Sequence, residues 1–209
     1  MGQYYQVVLK DPESRRMVLG NPHHFCEGFK LMEHGYVDST FVNIVFSMLR
    51  DHPMHLAWVG DYAERRDLNK FGTDPNLVSK FIKFAWDTPE KDSQQIERHY
   101  DGEKLSGMWF GQFTVINHTK KEFFNQNKYW NRNFSGTNPR AEYAIDPLVA
   151  LTAVGNGKGG GDFWGKGDEE VGRWATDLIE IVSISDVGEK SLIRDGYKEI
   201  EPCFIEGGE

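Results

Sequence analysis

A glycine-rich segment at residues 155–162 places the strongest constraint on the fold of this chain. Five of its eight residues are glycine, which is costly inside a helix or strand, so the segment is expected to form a loop. Its spacing matches the G-x-G-x-x-G pattern of dinucleotide-binding folds, in which a helix begins at the glycines and holds a pyrophosphate. No apolar residues recur at helical spacing after Asp162, so a dinucleotide-binding fold is not expected.

A nucleotide-binding P-loop is excluded more directly. Lys158 is followed by Gly159, where a P-loop has Ser or Thr. A calcium-binding glycine repeat needs several stacked copies, and this chain has one partial match. Two interpretations stay open: a ligand-facing loop that uses Lys158, Asp162 and Trp164, or a long turn whose glycines supply positive φ angles.

Two helices are predicted from apolar residues that recur at helical spacing. The first follows Ser39, a residue type that commonly caps helices. The second follows Asp74 as the cap, with Pro75 at the first helical position. The apolar face of the first helix consists of Phe41, Ile44, Val45, Met48 and Leu49.

The remaining regular structure is predicted to be extended, because apolar and polar residues alternate between turn-forming residues. The predicted strands are residues 4–9, 17–19, 54–59, 109–116, 122–124 and 174–183. Residues 144–154 are apolar but of ambiguous type. The expected fold class is therefore α+β, with a mainly antiparallel sheet and two or more amphipathic helices. A length of 209 residues suits one domain over 1–209, and the polar stretch 90–104 is a weak internal boundary.

The net charge of −8 disfavours a protein held on nucleic acid by phosphate neutralisation. The best candidate for local contact with nucleic acid is a basic and aromatic stretch from Lys120 to Arg140. No apolar run reaches the roughly 18 residues needed to cross a bilayer, so no membrane contact is predicted. Cys26 and Cys203 are too few for a disulfide framework, and a cytoplasmic location with free thiols is expected.

Histidines and aspartates provide the candidates for chemistry. His34, beside Glu33, and His118 are candidate general bases. Three aspartates, Asp61, Asp162 and Asp177, would suit a divalent cation if they converged, although each can equally cap a turn. No Cys/His pattern of a zinc site occurs, so neither a metal nor a cofactor is predicted.

Six short segments, spread over most of the chain, together resemble a protein family. They are MGQYY at 1–5, LMEH at 31–34, WVGDYA at 58–63, NHTKK at 117–121, GNGKGGGD at 155–162 and VGRWA at 171–175. Their order is similar to that in an uncharacterised family of bacterial and bacteriophage genomes. The resemblance implies a shared fold and carries no activity. The chain departs from the family pattern in the stretch 90–104 and at Thr176, where Gly or Arg is more usual.

The leading hypothesis is a non-enzymatic binding protein that binds a protein partner or sequesters a small anionic ligand, for example a bacteriophage-encoded modulator of a host system. The acidic composition, the aromatic residues and the absence of a recognisable catalytic set favour it. The alternative is a metal-assisted hydrolase of phosphate esters or nucleotides, with the three aspartates around the cation and His34 or His118 as the base. A structural component of a larger assembly is a third hypothesis. The sequence does not indicate an oligomeric state.

Overall fold

The computed structural model of the protein describes residues 1–37, 39–64, 66–67, 74–88, 94–96, 113–134 and 144–206. These residues form a single α+β domain with a mostly antiparallel sheet, which confirms the predicted fold class. The strands are β1 (Tyr5–Lys10), β2 (Met17–Gly20), β3 (Met54–Gly60), β4 (Gln94–Gln95), β5 (Phe113–Asn117), β6 (Glu122–Asn125), β7 (Ala153–Val154), β8 (Gly165–Lys166), β9 (Leu178–Ser183), β10 (Lys198–Glu199) and β11 (Ile205–Glu206). The helices are α1 (Leu31–His34), α2 (Thr40–Asp51), α3 (Pro75–Asp87), α4 (Gln126–Phe134), α5 (Pro147–Thr152) and α6 (Glu189–Arg194).

The main sheet runs in the order β10-β6-β5-β9-β3-β1-β2-β4, and β7 pairs with β3. The pairs β1–β2, β1–β3, β3–β9, β5–β9 and β5–β6 are antiparallel. The pairs β6–β10, β2–β4 and β3–β7 are parallel. Strands β8 and β11 form a separate two-stranded sheet. Strand β3 thus lies at the centre of the fold.

The two predicted amphipathic helices are present, and each is capped as expected. Ser39 accepts a hydrogen bond from the backbone N–H of Val42 at the start of α2. Asp74 accepts one from Asn76 at the start of α3. Helix α2 contributes to the larger core cluster on one face of the sheet, and α3 to a second cluster on the opposite face. Because both faces are covered, β3 is buried along almost its whole length.

Three sequence predictions need correction or limitation. The predicted strand 174–183 begins only at Leu178, because residues 171–176 form turns and Thr176 has a φ of 65°. The ambiguous segment 144–154 contains α5 followed by β7. Helix α4, in the basic and aromatic stretch, was not predicted. Residues 109–112 and most of 90–104 lie outside the described residues, although Gln94–Gln95 forms β4.

No helix in the described ranges is long and apolar enough to cross a membrane. Neither Cys26 nor Cys203 forms a disulfide bond.

Candidate functional site

The glycine loop, residues 155–162, forms a tight turn whose conformation depends on its glycines. The φ angles of Gly155, Gly157 and Gly161 are 95°, 89° and 88°, in the left-handed region that favours glycine. A Cβ atom on Gly159 would lie 2.5 Å from the Cβ of Gln3. The glycines therefore serve both backbone conformation and close packing, and the predicted turn with positive φ angles is confirmed.

Asp162 occupies the concave side of the glycine loop. Its Oδ2 accepts hydrogen bonds from the backbone N–H groups of Gly157, Lys158 and Gly159 at 2.8, 2.8 and 2.9 Å. Successive backbone N–H groups in such a turn form a site for an anion. Here the anion is the carboxylate of the chain itself, so these three groups are already satisfied.

The lysine of the glycine loop is also paired. Lys158 Nζ lies 2.8 Å from a carboxylate oxygen of Asp67 and donates to the backbone carbonyl of Tyr62 at 3.0 Å. With its amides and its lysine both engaged, the loop does not provide an open site for a small anionic ligand. This arrangement favours the interpretation of the loop as a rigid structural turn.

Segments distant in sequence meet at the glycine loop. Gly2 and Gly160 form a parallel bridge, and Met32 at the start of α1 donates to the carbonyl of Gly161 at 3.0 Å. Beside the end of β3, the Asp61 N–H donates to the Tyr4 carbonyl, and the Tyr4 N–H donates to the Asp61 carboxylate. Four of the six segments that carry the family resemblance, at 1–5, 31–34, 58–63 and 155–162, therefore come together here.

Tyr5 connects the glycine loop to the sheet. Its hydroxyl donates to Asp162 Oδ1 at 3.0 Å, and its side chain is fully buried. Burial, together with the negative charges of Asp162, Asp61 and Asp67, raises the pKa of Tyr5 well above its usual value. The phenol therefore stays protonated and can keep donating to Asp162. Hydrogen bonds and an ion pair place these carboxylates: Asp162 contacts Tyr5, Asp61 contacts the neighbouring Tyr4, and Asp67 pairs with Lys158.

Three exposed aromatic side chains lie on the segments that meet at the glycine loop. The exposed fractions of Trp164, Tyr4 and Tyr62 are 65%, 47% and 36%. Asp61 lies beside Tyr4, because its Oδ1 accepts a hydrogen bond from the Tyr4 N–H at 3.1 Å. We name the surface that carries Tyr4, Asp61, Tyr62 and Trp164 the loop face. Asp61, Asp162, Lys158 and Trp164, which were all candidates from the sequence, belong to this face or to the loop beneath it.

Asp177 lies in a different part of the fold. Its backbone carbonyl accepts a hydrogen bond from Leu56, five residues before Asp61, which corresponds to about 16 Å along an extended strand. Its Oδ2 accepts from Asn117 Nδ2 at 2.8 Å and lies 3.5 Å from Lys120 Nζ. Burial raises the pKa of Asp177 to about 6. Asp177 therefore does not join Asp61 and Asp162 in one carboxylate cluster.

The two candidate general bases are also separate from the loop face. His34 is buried, its Nδ1 lies 2.9 Å from the carbonyl of Gly28, and burial lowers its pKa to about 4. His118 bridges Glu180 and Tyr197, each at 2.8 Å. Among the residues that the structure describes, no three His, Cys, Asp or Glu side chains are grouped to hold a metal ion.

A second buried polar network was not found from the sequence. Glu122 accepts hydrogen bonds from Trp174 Nε1, at 2.8 Å, and from Arg173, which also pairs with Glu170 at 2.8 Å. Arg173 and Glu170 also line an open cleft of about 260 Å³ against the segment before β11. The available signal was the VGRWA segment of the resemblance, but nothing in the sequence indicated its partner Glu122.

Two lysines of the basic and aromatic stretch lie beside carboxylates. Lys128 pairs with Glu189 and Glu199 at 2.7 and 2.6 Å. Lys120 lies beside Asp177, and Tyr129 is buried. Arg140 lies outside the described residues. These pairings leave the expectation against nucleic-acid binding in place.

Comparison of the chain with protein-family models, with curated proteins and with solved structures finds no match. The resemblance to the bacterial and bacteriophage family stays a prediction.

Proposed function

We propose that this chain is a non-enzymatic binding protein that contacts a protein partner through the loop face. The observation that carries the proposal is the distribution of exposed apolar side chains. The described residues contain six large exposed hydrophobic side chains, and four of them lie on segments that meet at the glycine loop. These four are Met1, Tyr4, Tyr62 and Trp164. Tryptophan and tyrosine are enriched among the residues that contribute most to binding energy at protein interfaces.

The rigidity of the underlying loop supports this function. Asp162 holds three consecutive N–H groups, and Asn156 exchanges two hydrogen bonds with the backbone of Phe163, directly before Trp164. A surface that is already ordered loses less conformational entropy on binding. The internal carboxylate and the paired Lys158 also make a protein partner better supported than a small anionic ligand in the loop.

The proposed cellular location and origin of the protein rest on its sequence. Two cysteines that form no disulfide suit the reducing cytoplasm. Together with the family resemblance, this supports a bacteriophage-encoded modulator that binds a host protein. The hydrolase alternative has less support, because Asp177 lies apart from Asp61 and both candidate histidines are held in other interactions.

Affinity capture with matched surface variants tests the proposal. Purified wild-type protein, Trp164→Ser and Ile193→Ser are immobilised and exposed to the same lysate of the source organism or its host. Ile193 is the control, because it is 55% exposed but lies on α6, away from the glycine loop. We expect a protein that is retained by the wild type and Ile193→Ser but is lost or reduced at least tenfold with Trp164→Ser.

Circular dichroism and thermal unfolding must first show that both variants are folded. Retention of the same proteins by all three samples, or of none, contradicts a binding function of the loop face.

A further inference from the structure

Among the described residues, the glycine loop and the segments that meet it carry more acidic than basic side chains. Asp61, Asp67 and Asp162 all lie close enough to Tyr5 to raise its pKa, and Lys158 is the cation that pairs with one of them. Two further pairs of opposite charge lie on the described parts of the adjoining segments. Lys30 pairs with Glu33 at 3.0 Å, and Arg66 pairs with Glu64. The net charge of −8 for the whole chain adds to this local field. A binding partner that carries positive charge would match this surface.

Asp61 differs from the other two aspartates in what it contacts. Asp67 pairs with Lys158, and Asp162 accepts four hydrogen bonds from the loop and Tyr5. Within the described part of the chain, no lysine or arginine pairs with Asp61, whose carboxylate accepts one backbone hydrogen bond from Tyr4. The other carboxylate oxygen of Asp61 has no hydrogen-bond donor among these described residues.

Two tyrosines adjoin this carboxylate. The backbone N–H of Asp61 donates to the Tyr4 carbonyl, the backbone N–H of Tyr4 donates to the Asp61 carboxylate, and Tyr62 follows Asp61 in the chain. Both side chains are exposed, by 47% and 36%. The face of an aromatic ring attracts an ammonium or guanidinium group, and a carboxylate forms charge-assisted hydrogen bonds with it. A carboxylate and an aromatic ring that contact the same cation therefore bind it more tightly than either group alone.

We propose that Asp61, Tyr4 and Tyr62 form a docking site for an arginine-bearing segment of the protein partner. This inference rests on the proposed function and names the chemistry of the partner. Arginine fits better than lysine, because its planar guanidinium can stack on a tyrosine ring while it donates to a carboxylate. The expected contact is weak for an isolated peptide and strengthens within a larger interface.

Nuclear magnetic resonance titration of the full chain tests this proposal. The probe is acetyl-Gly-Arg-Gly-Arg-Gly-amide, and the matched control is the same peptide with citrulline in place of arginine, which keeps the shape but removes the charge. We expect saturable shifts of the backbone amides of Tyr4, Asp61 and Tyr62 with the arginine peptide and none with the citrulline peptide. Raising the salt concentration should weaken the binding, since exposed charges are screened.

Two variants of equal net charge separate a specific site from general attraction. Asp61→Asn should weaken binding of the arginine peptide at least threefold, whereas Asp195→Asn should leave the affinity unchanged. Asp195 is a suitable control because its side chain is 60% exposed on the segment after α6. Equal losses in both variants, or shifts spread over the whole acidic surface, would overturn the proposal.

The titration and the capture experiment can fail independently. If capture depends on Trp164 but the arginine peptide does not bind at Asp61, the binding function stands and the arginine site is wrong. If the peptide binds at Asp61 but no protein depends on Trp164 for capture, the arginine site stands and the proposed function is contradicted.

Discussion

At the scale of single residues, Asp146 is the buried acid with the clearest consequence for stability. It is 1% exposed, and its Oδ1 caps α5 by accepting a hydrogen bond from Leu148 at 2.8 Å. The nearest side-chain donor is Gln126 Nε2, at 3.4 Å from Oδ2. Burial without a cationic partner raises the pKa of Asp146 to about 7.

The stability of the protein should therefore depend on the protonation of Asp146. Between pH 4 and pH 7 the folded state keeps this proton while the unfolded state releases it, so the free energy of unfolding falls as pH rises through this window. The total effect is on the order of 4 kcal/mol. Asp146→Asn keeps the capping oxygen and removes the charge, so it should stabilise the protein at pH 8 and change the slope between pH 4 and pH 7.

Urea unfolding of the wild type and Asp146→Asn from pH 5 to pH 8 measures this difference. Asp74→Asn is the matched control, because Asp74 caps α3 through the same kind of bond but is exposed. A constant difference in unfolding free energy between Asp146→Asn and the wild type across this range would contradict the prediction.

At the scale of elements, the glycine loop shows which glycines are required by packing. A Cβ atom on Gly159 would lie 2.5 Å and 2.6 Å from the Cβ and backbone N of Gln3, and backbone atoms cannot move away cheaply. A Cβ atom on the adjacent Gly160 would meet nothing closer than 3.9 Å. Gly159→Ala should therefore destabilise the protein by about 1–3 kcal/mol, the usual cost of overpacking. Gly160→Ala should stay within about 0.5 kcal/mol of the wild type.

Thermal and urea unfolding of both variants provide the comparison. Equal stability of Gly159→Ala and Gly160→Ala would show that the close approach to Gln3 does not limit the loop.

Elements whose signals are local could be predicted from the sequence. Helices α2 and α3 were found because a cap and an apolar stripe lie within one continuous segment. Helix α4 was missed because its residues are mainly polar and aromatic, and its burial depends on neighbours distant in sequence. The strand before Ser183 was predicted too long, because Trp174 and Ala175 are buried in turns and imitate an alternating strand.

Thr176 adopts a backbone conformation that its side chain disfavours. Its φ of 65° is unfavourable for a β-branched residue, and glycine adopts this conformation without the same steric cost.

At the scale of the whole molecule, the sequence identified residues that matter but not which of them meet. Asp61 and Asp162 lie near the same end of the sheet, whereas Asp177 joins Asn117 at a distant turn. That grouping depends on strand order, which spacing along the chain does not specify. The acceptor of the loop amides was likewise not predictable, because only the folded turn brings the Asp162 side chain back over Gly157.

The hydrogen bonds of Asp162 with Tyr5 and of Asp177 with Asn117 lie in separate parts of the fold, which gives a prediction about energetic coupling. Tyr5 pairs with Gly60, while Asp177 contacts Leu56, and four residues of strand correspond to about 13 Å. Mutations this far apart without shared partners usually have additive effects on stability. Asp162→Asn and Asp177→Asn should therefore add to within about 0.5 kcal/mol in the double variant.

A second cycle provides the positive control, because Tyr5 donates directly to Asp162 at 3.0 Å. Tyr5→Phe removes this hydrogen bond, and Asp162→Asn removes the charge that strengthens it, so their combined effect should be smaller than the sum by about 0.5–3 kcal/mol. Urea unfolding at pH 8 of the wild type, the three single variants and the two double variants supplies all values. Strong coupling between Asp162 and Asp177 would mean that the networks communicate through β3, and weak coupling between Tyr5 and Asp162 would mean that their hydrogen bond contributes little to stability.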